Sequence, residues 1–538
     1  MKIRKSLCVG LSLSVAAAVA SLACNDDDNP STGNPGEGGA AGSGGAADAS
    51  TGGTSGSGGG GVGGHGGVAG SADAGDAGGE TTDGGEGPDG SAATAMIRIV
   101  HAATGAPAVD LYVKGDVTPL ATGLAYGKAS SYVTVPAGNP EIEVRAMGAS
   151  PTSTPLYTTS AVQMEAGKKY TAVASGNVAS TATTDAFRVL PLEEAFAAAG
   201  AGKTRVRVVH AGWDAPTVGL DVNADAPAAP EVPSLARFAD TGTDGLELDT
   251  TTGYLQLGVD VNAEKVTSFT LPTLPDGGDV FVVATGLLSK LARDPAGFAL
   301  LVVMPNGDTT FVLQNPRVYG LMAVQDEPTL DVYTGPLEII DSAAFGSMPA
   351  FQVRPESYTL DFYPGQAGAG TPRPSDPPLA TANLPGLAAG QQYLAVGAGK
   401  IDAATSTFQL FVVPEAFDLA DATKARLRVL HASDDAPTLD FGTVTVPGTL
   451  VSPPLFPNLA YGQVSAAAGA SLPTGSPTLG AAATGTTATT AEFGLTTAAG
   501  ERAFAVAVGE PGDATHPLQI VVIRTESTPW TKSIVPAD

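Results

Sequence analysis

"IRIVHAATGAPAVDLYVKG", Ile97 to Gly115, is the stretch on which the fold turns. Ile97, Ile99 and His101 alternate with Arg98 and Val100, the period-two pattern of a β-strand with two distinct sides. "ATGAP" then supplies a turn. Val109, Leu111 and Val113 alternate with Asp110 and Tyr112 in a return strand. The segment therefore predicts a hairpin with a histidine near its bend.

Three later segments say nearly the same thing: "VRVVHAGWDAPTVGLDV", "VYGLMAVQDEPTLDVY" and "LRVLHASDDAPTLDF". They align on Pro107, Pro216, Pro328 and Pro437, spaced 109, 112 and 109 residues apart. A second signature repeats in step, a glycine turn followed by an apolar strand. It reads "EAGKKYTAVASG" from Glu165, "DGGDVFVVATG" from Asp276, "AAGQQYLAVGAG" from Ala388 and "AAGERAFAVAVG" from Ala498. Self-similarity over the whole period marks a tandem array. Short strands, Gly/Pro turns and almost no helical period predict an all-β chain of four antiparallel β-sandwiches, immunoglobulin-like or transthyretin-like. Their expected boundaries are 96–200, 201–315, 316–420 and 421–538. Repeats one and three share "VDLY" or "LDVY" and an Ala-rich join; repeats two and four share "RVVHA" or "RVLHA" and "DAPT". A duplicated two-repeat block follows, with the joins as short helices or linkers inside each pair.

Residues 1–24 read as an export signal. Lys2, Arg4 and Lys5 precede an apolar run too short, with these flanks, for a membrane span. The run ends at "SLAC", Ser21 to Cys24, which resembles the lipobox of bacterial lipoproteins. That family usually has leucine where Ser21 stands; here leucine falls one place later, at Leu22. The resemblance implies a lipid on Cys24, with ordinary cleavage near Ala20 or Ala23 as the alternative. Residues 25–95 form a Gly/Ala/Asp-rich tether without lysine or arginine, too poor in apolar groups to fold. The only other cysteine, Cys8, lies within the signal, so no disulfide is expected in the exported chain.

The 27 basic and 54 acidic residues give a net charge of -27, or -30 once the three basic signal residues are gone. Such a surface repels phosphate backbones and argues against nucleic-acid binding.

"RIVHAATGAPAVDLYVKG", "LAYG" from Leu124, "VPAG" from Val135 and "EAGKKYTAVASG" together resemble the bacterial surface domain called domain of unknown function 4397. The resemblance covers repeat one along its length, repeats two and four mainly at their starts and ends, and repeat three without its histidine. It implies envelope-anchored proteins with tandem copies and no established chemistry.

His101, His210 and His431 recur at one position, with Asp110 and Asp440 nine residues on. A His–Asp dyad can orient an imidazole for base catalysis or metal ligation. Yet Gly219 replaces the aspartate in repeat two, Met322 replaces the histidine in repeat three, and no serine or cysteine nucleophile recurs. A structural histidine bonded to the turn backbone fits better. Zinc needs about four converging ligands, and each repeat offers at most one histidine at this position. Calcium is the ion that carboxylate-rich turns such as "DDAPTLD", "PDGGD" and "NADAP" would take, but no EF-hand loop accompanies them. No other cofactor is expected. Trp213, in the turn of repeat two, is the candidate ligand contact; Tyr126, Tyr461, Phe238 and Phe345 read as core aromatics. The resulting expectation is a non-enzymatic, lipid-anchored surface protein, structural or adhesive. A polysaccharide- or protein-binding module is the alternative, and a hydrolase using His–Asp dyads the remote one.

Overall fold

The alternation along Ile97–His101 separates two buried environments rather than core from solvent. A computed structural model describes residues 93–223, 229–251, 253–366, 368–402, 404–418 and 421–538. The signal segment, Cys24 and nearly all of the tether lie outside them. In the first repeat the strands are β1 (Thr94–His101), β2 (Val109–Val113), β3 (Pro119–Leu124), β4 (Val133–Pro136), β5 (Ile142–Ala146), β6 (Tyr157–Thr158), β7 (Lys169–Ser175) and β8 (Arg188–Glu193). They build two sheets, ordered β4-β1-β7-β8 and β3-β2-β5-β6. Ile97 and Ile99 from the first meet Val109, Leu111 and Val144 from the second in the sandwich core. Each later repeat has two sheets of the same plan, and among the described residues there is no helix.

Two details differ from the sequence expectation. The sheets are antiparallel except for one parallel pair in each repeat, β1 with β7 in the first. These are the two repeating signatures themselves: Arg98 lies opposite Thr171 and Val100 opposite Val173. Nor do β1 and β2 form a hairpin. They belong to different sheets, so "AATGAPA" is an arch carrying the chain across the sandwich. The Ala-rich join at 194–200 is irregular chain, not helix.

The outer face of the β1 sheet is buried as well. Val100, Ala102, Val173 and Leu192 pack against Val209, Ala211, Phe281, Val283, Leu301 and Val303 of repeat two, a sheet-on-sheet contact between repeats. Leu321, Val396, Leu430, Phe504, Val521 and Trp530 lie in the corresponding contact between repeats three and four. Strands buried on both faces become continuous apolar runs, which explains "VFVVAT" and "ALLVV". The first contact is reciprocal. Ser175 Oγ donates to the carbonyl of Ala211 and Thr285 Oγ1 to that of Ala102, each at 2.7 Å.

Candidate functional site

The recurring histidines sit at the arches. His101, His210 and His431 are no more than 1% exposed. Each places Nε2 on the carbonyl of the arch proline: Pro107 at 3.1 Å, Pro216 at 2.8 Å and Pro437 at 3.0 Å. In repeats one and four the amides of Ala103 and Ser433 donate to Nδ1 at 3.3 Å. A carbonyl accepts and an amide donates, so these rings are neutral with the proton on Nε2. Met322, 4% exposed in the core of repeat three, fills the same place without the hydrogen bond.

The aspartates nine residues on, which a His–Asp dyad would require, do something else. Asp110 accepts the amides of Gly123 at 2.7 Å and Gly148 at 2.8 Å. Asp440 accepts those of Asn458 at 2.7 Å and Gly485 at 3.1 Å, and Asp331 those of Ser342 and Gln366. Gly123, Ser342 and Asn458 all have positive φ, so this carboxylate holds a left-handed kink in the neighbouring strand. No hydrogen bond joins His101 to Asp110 or His431 to Asp440; each group is spent on backbone.

Burial sets the pH response. Desolvation, the main cause, lowers the pKa of all three histidines below the ordinary 6.5, against the raising effect of the proline carbonyl. The unfolded chain therefore takes up protons first as pH falls. The stability carried by these rings is complete above pH 6.5 and is lost below it, by up to about 1.4 kcal/mol per pH unit for each ring. Thermal unfolding of the wild type should become steeply acid-sensitive below pH 6.5. A triple His101→Met, His210→Met, His431→Met variant should flatten that limb, and an unchanged limb would remove the histidines from the account.

The arginine of "IRIVHA" is the residue that sequence alone gives no reason to single out. Arg98 is 1% exposed and donates Nη1 to the carbonyl of Met304 in repeat two, at 3.0 Å. Arg207 returns the contact to Glu193 O in repeat one, and Arg428 reaches Pro414 O in repeat three, both at 2.7 Å. Arg428, stacked near Phe417 and Phe504, has its pKa pulled down by burial to about 10. Tyr319 holds this position in repeat three and stacks on Trp530.

The "LAYG" aromatics are half-buried contacts between repeats, not sandwich core. Tyr126 packs on Phe311 of repeat two with ring centroids 5.3 Å apart. Tyr461 donates to Ala398 O of repeat three at 2.9 Å. Phe238 lies under Arg188 of repeat one, and Phe345 meets His516 of repeat four. The signal was available: a polar phenol recurs in a motif otherwise apolar, and a phenol needs a partner when buried.

Among the described residues, two clusters of carboxylates come close enough together to consider for a cation. In Asp434–Asp435–Glu510, Lys400 Nζ already sits 2.9 Å from Asp435 and 2.6 Å from Glu510. In Asp331–Glu338–Asp341, Asp331 and Glu338 are committed to backbone amides. Trp213 is half-buried in its turn, its carbonyl accepting from Arg237 at 2.5 Å.

A cleft of about 860 Å³ opens where repeats two, three and four meet. Its lining holds Gln314, Asn315, Gln352, Gln391 and Gln392 among five basic and five acidic side chains, and it contains no aromatic residue. Trp213 lies outside it. Gln352 spans the junction, accepting from Ser268 of repeat two at 3.2 Å. Arg293 reaches Glu415 at 2.6 Å.

A search of curated proteins finds no match to the chain. The family model described as "Domain of unknown function (DUF4397)" matches residues 95–221 and again 316–442. Each match takes in one whole repeat and the first two strands of the next, so it spans the parallel pair and the arches of both partners. The two matches are separated by the same 221 residues as Pro107 and Pro328, so the chain carries DUF4397 in tandem.

Proposed function

We propose that the chain is a non-enzymatic cell-envelope lipoprotein, exported and held at a membrane through Cys24, whose paired β-sandwiches act as a structural or adhesive surface array. The observation that carries this reading is the pairing itself. Apolar faces weld repeat one to two and repeat three to four, a durable build for a chain whose sequence offers no disulfide. The backbone duties of the repeated His and Asp side chains support it further. Replacing Cys24 with alanine should move the protein from the membrane to the soluble fraction and abolish adhesion of cells displaying it. Membrane retention would overturn the anchor, and undiminished adhesion the array.

One observation favours a second reading, a polysaccharide-binding module: the polar cleft between the pairs.

A further inference from the structure

We propose that the cleft at the junction of repeats two, three and four binds a neutral, hydroxyl-rich oligosaccharide segment, held edge-on by hydrogen bonds without aromatic stacking. The inference rests on the polysaccharide-binding reading and adds the place and the ligand class. At about 860 Å³ the cleft has the size of a small-ligand site, but its chemistry differs from the usual apolar pocket. Amides, hydroxyls and balanced charges line it.

The hydrogen-bonding groups of the lining run in both senses. The hydroxyls of Ser289 and Thr528, both exposed, and the half-buried amide of Gln391 can each donate and accept. The carboxylates are largely spoken for. Glu501 takes Arg524 at 2.8 Å and the Ala498 amide at 2.7 Å, and Glu526 takes the Arg502 amide at 3.0 Å. A ligand that meets donors and acceptors together needs groups that both accept and donate, and hydroxyls do so. An apolar ligand would bury these polar groups unpaired, at a cost. A polyanion would meet a lining of balanced charge inside a chain of net charge -27. No ring is present for a sugar face to stack on, which leaves the equatorial edges as the contact.

The site is composite. Thr267 comes from repeat two, Gln352 and Gln392 from repeat three, and Thr528 from repeat four. Gln392 Nε2 donates to Thr528 Oγ1 at 3.2 Å across the last boundary. Neither pair could form it alone.

The test is calorimetric titration of the full chain with maltoheptaose, cellohexaose and mannohexaose, and with a galacturonate oligomer of similar length. Binding of at least one neutral oligomer, insensitive to salt, is expected. Gln391→Ala should weaken it about tenfold, the loss of one well-made hydrogen bond. Ser289→Trp, an exposed position on the lining, should block it, whereas Trp213→Ala should leave it intact. Tighter binding of the galacturonate oligomer would overturn the ligand class. Neutral binding that survives both cleft variants and vanishes with Trp213→Ala would overturn the location while leaving the polysaccharide reading standing. If no oligomer binds, both fall.

Discussion

Trp530→Ala is expected to destabilise the pair formed by repeats three and four by about 3–5 kcal/mol, the range for truncating a large buried aromatic. Trp530 is 4% exposed and stacks on Tyr319 with centroids 4.2 Å apart and planes 8° from parallel. Phe504 lies against its other contact surface at 5.9 Å. The tryptophan belongs to repeat four and the tyrosine to repeat three, so the indole closes the seam between them. A close aromatic pair adds about 0.5–1.5 kcal/mol beyond its buried area. Differential scanning calorimetry should show one transition falling and the other, from repeats one and two, unmoved. Tyr319→Ala should act on the same transition, and the double variant should cost less than the two singles together, because both remove one contact. Strict additivity, or a shift of both transitions, would show that the seam is not where the indole acts. Trp213→Ala, at a half-buried turn, supplies the contrast and should cost far less.

Sequence alone carries the repeats, the strand period and the sandwich, because a repeated core must restate its apolar alternation every time. Ile97 and Ile99 face Val109 and Leu111 as their alternation demands. It also carries the duplication into pairs, but not what pairing does. Val100 and Val173 read as ordinary strand residues, since a side chain buried between repeats and one buried within a repeat obey the same period. Arg98 reads as the solvent side of β1 because the groups that satisfy it, Met304 O and Glu194, lie about 206 and 96 residues downstream in the chain. The same distance hides the parallel pair: both of its strands are visible as signatures, yet nothing local says that they touch. Tyr126 and Tyr461 were legible as aromatic positions and misplaced by one layer. The cleft left no trace at all. Its lining runs from Val266 to Thr528 in short pieces, and although Gln391 and Gln392 fall within "AAGQQYLAVGAG", Gln314, Asn315 and Gln352 belong to no motif. That the histidine is replaceable was legible because Met322 supplies an internal substitution; no such comparison existed for Gln352.

Glu194→Ala is expected to be as severe as Trp530→Ala, for a different reason. Arg98 sits at 1% exposure between Tyr132 and Phe281, with Nε bonded to Thr171 Oγ1 at 2.7 Å and 3.5 Å from Glu194 Oε1. Glu194 also accepts from the hydroxyl of Thr171 and, at 2.7 Å, from that of Tyr132, whose pKa is raised by burial and by this bond. Removing the carboxylate leaves a guanidinium without its counter-charge inside the seam between repeats one and two. Breaking one side of a buried pair costs about 3–5 kcal/mol, mostly the penalty of the stranded charge. Arg98→Met removes the charge itself and keeps an unbranched side chain against Phe281, so it should cost distinctly less. The double variant should then recover much of what Glu194→Ala loses, since an apolar replacement of both partners can be close to neutral. Repeat three replaces the arginine alone, with Tyr319 in its place and an aromatic partner across the seam, and its retained carboxylate, Glu415, pairs with Arg293 instead. Urea unfolding of the four chains checks the cycle. If Arg98→Met proves as costly as Glu194→Ala, or the double variant is the worst of the set, then the hydrogen bond to Met304, not charge compensation, holds this seam together.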